Sequence, residues 1–284
     1  MRPKGKLDMR RVLILLASVS LTMALAAPVA ATRPTPTVYI ALGDSLASGD
    51  WASVPTRTGY VPRLAGYFQG ASHGGADELI NLGVGGTTTG QLLSSQVLHA
   101  LAIIGDPTTD TRVVTISVGG NDLLNLINDP TDPCILGPTS PTCQGLLAAA
   151  MGGVAANMPQ ILGGLQGALA KDPGDEKIFV LLPYNAFNGT GHPLDALIGQ
   201  AMRGNDMAID CAANANPANV GLVGLDDILA CTAAYFGAVV VDSYPLFEGR
   251  TLQLTHMGEG FNVHPNDAGY EVIAKAHRVA DQAN

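Results

Sequence analysis

Five short apolar runs recur along the chain, at Val38–Leu42, Leu79–Leu82, Val113–Val118, Ile178–Leu182 and Ala238–Val241. Each is of strand length, rich in Val, Ile and Leu, and set off by glycine or polar residues, which is how a buried strand reads. Between them lie stretches with helical patterning: Tyr60–Phe68, Gln91–Ile104, Leu123–Ile127, Leu146–Ala170, Leu194–Ala213 and Leu222–Tyr235. A last one, Asp267–Ala280, closes the chain. Strands alternating with helices argue for a parallel sheet covered by helices on both faces. The expected fold class is therefore α/β: a three-layer α/β/α, flavodoxin-like sandwich around a five-stranded parallel sheet.

The N-terminus stands outside this rhythm. Arg2, Lys4, Lys6, Arg10 and Arg11 precede the apolar run Val12–Ala27, and small residues follow at 24–26 and 29–31. That is the layout of a secretory signal peptide, and 32–36, with its Arg33-Pro-Thr-Pro36, reads as a linker. No later segment reads as long and apolar enough to span a bilayer, so stable membrane insertion after cleavage is not expected. The expected organisation is 1–31 signal peptide, 32–36 linker and 37–284 a single domain, with no internal repeat.

Removing the leader changes the charge. The whole chain carries 15 basic and 24 acidic residues; the leader holds five and one of them, leaving 10 and 23, a net charge near −13. A chain so acidic repels nucleic acid and anionic lipid surfaces, which removes DNA and RNA from the expected partners. Four cysteines in an exported chain point to two disulfides. Three pairings are possible, and the local ones are Cys134–Cys143 and Cys211–Cys231. The first would staple the Pro-rich segment 129–145, which reads as a surface loop; 184–193, rich in Asn and Gly, reads as another.

The first apolar run ends in Gly43-Asp-Ser45, followed by Leu-Ala-Ser-Gly49. A serine where a parallel strand ends is held on a rigid element at the sheet edge where ligands bind. Its hydroxyl is a poor nucleophile until a base takes the proton, so Ser45 implies a histidine. Of the six histidines, His264 alone stands in a fitting context: Asn262-Val-His-Pro-Asn-Asp267 leads into the closing helix with helix-start residues around it. The positive end of that helix would help keep the ring neutral. Acyl transfer also needs donors for a developing oxyanion. The Gly86 N–H after the second run and the Asn121 amide after the third, in Gly119-Gly-Asn-Asp122, are the candidates. A phosphate-binding reading of these glycines fails, because no Gly-x-x-x-x-Gly-Lys-Ser/Thr occurs and no Gly-x-Gly-x-x-Gly opens a helix after a strand.

Gly-Asp-Ser near the start, glycine after the second strand, Gly-Gly-Asn-Asp after the third and His-Pro near the end come in this order over residues 38–280. The chain thereby resembles the GDSL, or SGNH, hydrolase family. The resemblance implies a secreted serine ester hydrolase with Ser45 as nucleophile and His264 as general base. The Ser45 N–H, Gly86 and Asn121 would form the oxyanion hole. It implies the same five-stranded sandwich, no metal or cofactor, and a small-molecule or lipid ester as partner. A monomer acting on short-to-medium acyl esters or lipids is expected, since few aromatics (5 %) argue against an interfacial lipase.

One position departs from the pattern. Many members carry aspartate three residues before the histidine, and here that residue is Phe261. Three alternatives stay open: the Phe261 carbonyl holds the ring in a Ser–His dyad, Glu259 reaches in, or the protein is a catalytically impaired surface or binding protein. The dyad is the preferred one. Asp44 is expected to fix the turn and Asp242 to cap one. Trp51 is a candidate wall for the acyl pocket, as are Tyr184, Phe187 and His192.

Overall fold

The computed structural model describes residues 35–171, 174–205, 207–211, 223–260 and 262–284. The expected signal peptide and most of the linker lie outside them. Five strands form one sheet: β1 (Thr37–Gly43), β2 (Glu78–Asn81), β3 (Asp110–Ser117), β4 (Lys177–Leu182) and β5 (Val239–Asp242). All pairings are parallel and the order is β2-β1-β3-β4-β5. The order doubles back at β1, next to β3, which is where a doubly wound sheet opens a crevice.

The five expected strands are all present, shifted by at most three residues at an end. Burial separates them. Val38–Leu42 of β1 are fully buried, and β3 and β4 are nearly so. β2 is different: it is an edge strand, mostly exposed, with Leu79 open to solvent, so the expectation of five buried strands holds only for the centre of the sheet. Its short length keeps the exposed edge small.

Helices Tyr60–Phe68 and Asp267–Ala283 pack on each other over one face of the sheet. Thr89–Ser94, Gln96–Ile104, Pro141–Leu169 and Leu225–Tyr235 pack over the other. The helix Tyr60–Phe68 buries Tyr60, Val61, Leu64 and Phe68, the i, i+1, i+4, i+8 stripe of an amphipathic helix. Other expected helices change. The run Gln91–Ile104 is split at Ser95 into two, and within the Leu194–Ala213 run a helix covers Asp195–Arg203 and ends at Gly204, with φ +69°. The expected helix at Leu123–Ile127 sits earlier, at Gly120–Leu124.

Two further expectations are corrected in the middle of the chain. The segment 129–145 is not all loop: Pro133–Leu136 is a helical turn and the long helix already starts at Pro141, with Ser140 accepting from the Cys143 N–H as its N-cap. That helix, Pro141–Leu169, is also long and apolar enough, by length and composition alone, to cross a membrane, against the expectation that no such segment follows the leader. Here Val154, Met158, Ile161, Leu162, Leu165 and Leu169 form its buried stripe. Both local disulfides are present, Cys134–Cys143 and Cys211–Cys231, closing separations of 9 and 20 residues.

Candidate active site

The register of the central strands places three loops side by side. Gly43 pairs with Ser117 and Ser117 with Leu181, so the segments after β1, β3 and β4 leave the sheet at one level of its carboxyl edge. Gly43 makes this junction possible. Its φ is +145°, and a Cβ there would lie 2.3 Å from the Ser117 carbonyl oxygen. Only a residue without a side chain fits between the strands. The buried Gln96 side chain clamps the same peptide, accepting from the Gly43 N–H at 2.8 Å and donating to its carbonyl at 2.8 Å.

Ser45 opens the helical turn Ser45–Ser48, with Asp44 as N-cap. The Asp44 carboxylate accepts from the Leu46 N–H (3.0 Å) and the Ser117 hydroxyl (3.3 Å), and its other oxygen lies 3.4 Å from Nδ2 of Asn121. The expected turn-fixing role of Asp44 is therefore seen, extended to two further loops. Asp44 is 5 % exposed, and burial pushes its carboxyl from 3.8 up to about 7, against the pull of the Leu46 and Ser117 bonds. Tyr270 of the closing helix donates to the Asp50 carbonyl at 2.7 Å, with the Ser45 carbonyl 3.2 Å away, which ties the turn to the opposite end of the chain.

Asn121 follows β3 at the start of Gly120–Leu124. Its Nδ2 donates to the Thr87 carbonyl at 3.1 Å, linking it to the glycine loop after β2. The carbonyl is an acceptor only, so the amide orientation is settled. Gly86 has φ +79°, and its N–H has no hydrogen-bond partner among the described residues. Its neighbour Gly85 lies against the Ser45 turn, where a Cβ would sit 2.5 Å from Oδ2 of Asp50 and 3.9 Å from the Ser45 Cβ.

His264 lies in the segment before the closing helix, stapled to its neighbours. The His256 N–H donates to the His264 carbonyl at 3.0 Å, and Tyr184 donates to the Val263 carbonyl at 2.6 Å. Ser45, Asn121 and His264 line one narrow pocket of about 60 Å³ together with Leu123, Leu124, Ile198, Met202 and Phe187. No hydrogen bond joins Ser45 to His264, whose Nδ1 instead faces Asn262. Burial lowers the His264 pKa, His256 lowers it further, and the Asp50 carboxylate opposes both. The expectation of a neutral ring thus has the right direction, with burial as its first cause.

The partner of His264 is a residue that motif reasoning did not single out. Oδ1 of Asn262 is 2.6 Å from Nδ1 of His264 and 3.0 Å from its backbone N–H. The N–H can only donate, so the atom facing it is oxygen, and Nδ1 must then carry a proton. Nε2 is left with its lone pair free. The signal was the two-residue spacing, since Asn often bonds the backbone two residues on. Glu259, the alternative acid, instead faces Nδ1 of His256 at 2.9 Å. Phe261 lies outside the described residues.

Of the other expectations, Tyr184 and Phe187 line the pocket, whereas Trp51 and His192 do not. Trp51 lies beside His264, with ring centroids 6.3 Å apart, and lines a separate groove, while His192 lines another groove by the loop after β4. Asp242 does serve the turn after β5, accepting from the Tyr244 N–H at 3.0 Å, and also pairs with Arg203. Among the described residues no group of three or more His, Cys, Asp or Glu converges as a metal site.

A three-layer α/β sandwich that gathers serine, histidine and amide donors at the carboxyl edge of its parallel sheet has the SGNH hydrolase fold. The chain belongs to the GDSL-like lipase/acylhydrolase family, whose profile matches residues 41–272, and it is a carboxylic ester hydrolase of that type. No curated protein matches it significantly. Among solved structures it is similar to the lipase Lip_vut3 from a goat rumen metagenome (20 % identity, TM-score 0.56, covering 86 % of this chain and 97 % of that one). It is also similar to the extracellular lipase of Streptomyces rimosus (22 %, 0.53, 86 % and 99 %). A third is Axe2, an acetylxylan esterase from Geobacillus stearothermophilus (16 %, 0.51, 88 % and 96 %). At these identities the likeness is one of fold.

Proposed function

We propose that the protein is a secreted serine esterase in which Ser45 attacks the ester carbonyl and His264 moves the protons. The observation that carries this reading is the shared pocket of Ser45, Asn121 and His264, with Asn262 holding His264 in the tautomer that leaves Nε2 free to accept. Nε2 takes the Ser45 proton as Oγ bonds to the carbonyl carbon. The carbonyl oxygen becomes an oxyanion, met by the N–H groups of Ser45 and Gly86 and by the Asn121 amide, whose weak 3.4 Å contact to Asp44 is the one it can give up. The imidazolium then protonates the leaving alkoxide, and water repeats the sequence on the acyl-enzyme.

Asn262 orients the ring but offers no negative charge to the imidazolium, which points to modest turnover compared with a carboxylate-backed histidine. The narrow apolar pocket favours short-to-medium acyl chains. Two disulfides and an apolar leader support export.

A p-nitrophenyl ester series of increasing chain length tests the reading. Turnover should be abolished by Ser45→Ala and by His264→Ala, and a fluorophosphonate should label Ser45. Absence of labelling together with absence of turnover at every chain length would overturn it.

A further inference from the structure

Trp51 is the chain's single tryptophan and is 61 % exposed. Its backbone has φ +66°, a left-handed conformation that bulky residues rarely adopt. Such a conformation persists only where the surroundings enforce it, and it clusters at functional sites. The enforcement is visible: the Trp51 carbonyl accepts from Nε2 of His256 at 3.1 Å, and Nδ1 of that ring faces Glu259. The indole is thereby presented beside the site, its ring centroid 6.3 Å from that of His264 at 24° between planes. An open groove of about 350 Å³ runs past it, between His256 and the start of the closing helix at Asn266–Ala268.

His264 therefore adjoins two surfaces, the narrow apolar pocket it lines and the indole 6.3 Å from its ring. The chemistry assigns them. As the ester C–O bond breaks, the alkoxy oxygen takes the proton that His264 received from Ser45 Oγ, so the alcohol part of the ester must pass along the imidazole while the acyl part stays bonded to Ser45. With the acyl chain in the apolar pocket, the alcohol is directed across the ring towards Trp51.

We propose that Trp51 is the platform of an alcohol-side subsite that takes an alcohol bearing a ring with a flat face, stacked on the indole. An aromatic ring and the C–H face of a sugar share that chemistry. The proposal rests on the esterase reading given above.

Butyrate esters of phenol, of a pyranose and of methanol test it with one acyl group and three alcohols. Trp51→Gly removes the indole while suiting the left-handed backbone, so its melting temperature should not fall; Trp51→Phe keeps a smaller ring. The glycine variant should lose about three- to tenfold in kcat/KM on the ring-bearing esters, mostly through KM, and little on the methyl ester. Trp51→Phe should retain most of the wild-type value. Loss confined to the phenyl ester would mark the ring as aromatic, and loss on both would mark the flat face as the recognised feature. Equal loss on all three esters, or none on any, would overturn the subsite. A wild-type enzyme inert towards all three would overturn the esterase reading, and the subsite with it.

Discussion

One oxygen of Asn262 holds His264 twice, at Nδ1 (2.6 Å) and at the backbone N–H (3.0 Å). Asn262→Ala removes both bonds and leaves the tautomer unspecified. The expected result is a fall in kcat of about 100-fold or more with little change in KM, read from steady-state kinetics on a p-nitrophenyl ester. Asn262→Asp places a negative charge beside Nδ1. His264 is held below its ordinary 6.5 by burial. The acid limb of kcat/KM in the wild type should therefore fall below pH 6.5. In the aspartate variant it should move up by about 1 pH or more.

Asp44 links stability to pH with an unusual sign. Its carboxyl is raised from 3.8 to about 7 in the fold, so the native state holds a proton that the unfolded chain has already released. The stabilisation is complete below about pH 4 and is lost as the pH rises through about 7, on the order of 4 kcal/mol in all. Urea midpoints at pH 4.5 and 7.5 should show this in the wild type. Asp44→Asn, which does not ionise, should flatten that part of the profile.

Gly43 and Gly86 separate two demands on glycine. A methyl at 43 would sit 2.3 Å from the Ser117 carbonyl oxygen, whereas one at 86 meets nothing within 4 Å. Gly43→Ala should cost several kcal/mol and displace Ser45, lowering kcat at least 100-fold. Gly86→Ala carries only the backbone cost of its left-handed φ, about 1 kcal/mol. Thermal unfolding of the two variants side by side checks the difference.

Arg203, nearly buried, contacts Asp226 at 2.8 Å, pairs with Asp242 and lies 4.4 Å over the Tyr244 ring. Burial drives the Asp226 pKa upwards, and Arg203 opposes it. Removing one partner strands the other charge, so Asp226→Ala should cost about 3–5 kcal/mol in urea unfolding. Arg203→Met with Asp226→Leu should cost much less than the two single losses together. The helix Asp195–Arg203 carries the pocket residues Ile198 and Met202, so the single variant should also raise KM.

Much of the fold was legible because it rests on periodicity. Strand-length apolar runs separated by helical stretches leave a parallel sheet as the only economical arrangement, and the five strands are found where the runs are. Exposure of β2 was not legible, since Leu-Ile-Asn-Leu reads alike at an edge and in the centre; the difference is whether a neighbour exists. The long helix shows the same limit: its Ala- and Gly-rich sequence states its length, but only packing selects the stripe from Val154 to Leu169 that is buried.

The candidate site divides along the same line. By itself the sequence determined which residue types stand after each strand: Ser45 after β1, Gly86 after β2, Asn121 after β3 and His264 before the last helix. These are local facts, set by turns and strand ends. Tertiary structure alone decided what each of them touches. Asn262 became the partner of His264 because a short amide reaches ring and backbone together, while Glu259 faces His256 and Trp51 lines a groove of its own. Those outcomes depend on how residues 254–260 and 262–266 lie against the turn at 45–52, about 200 residues away in the chain, and no local pattern encodes a distance through space.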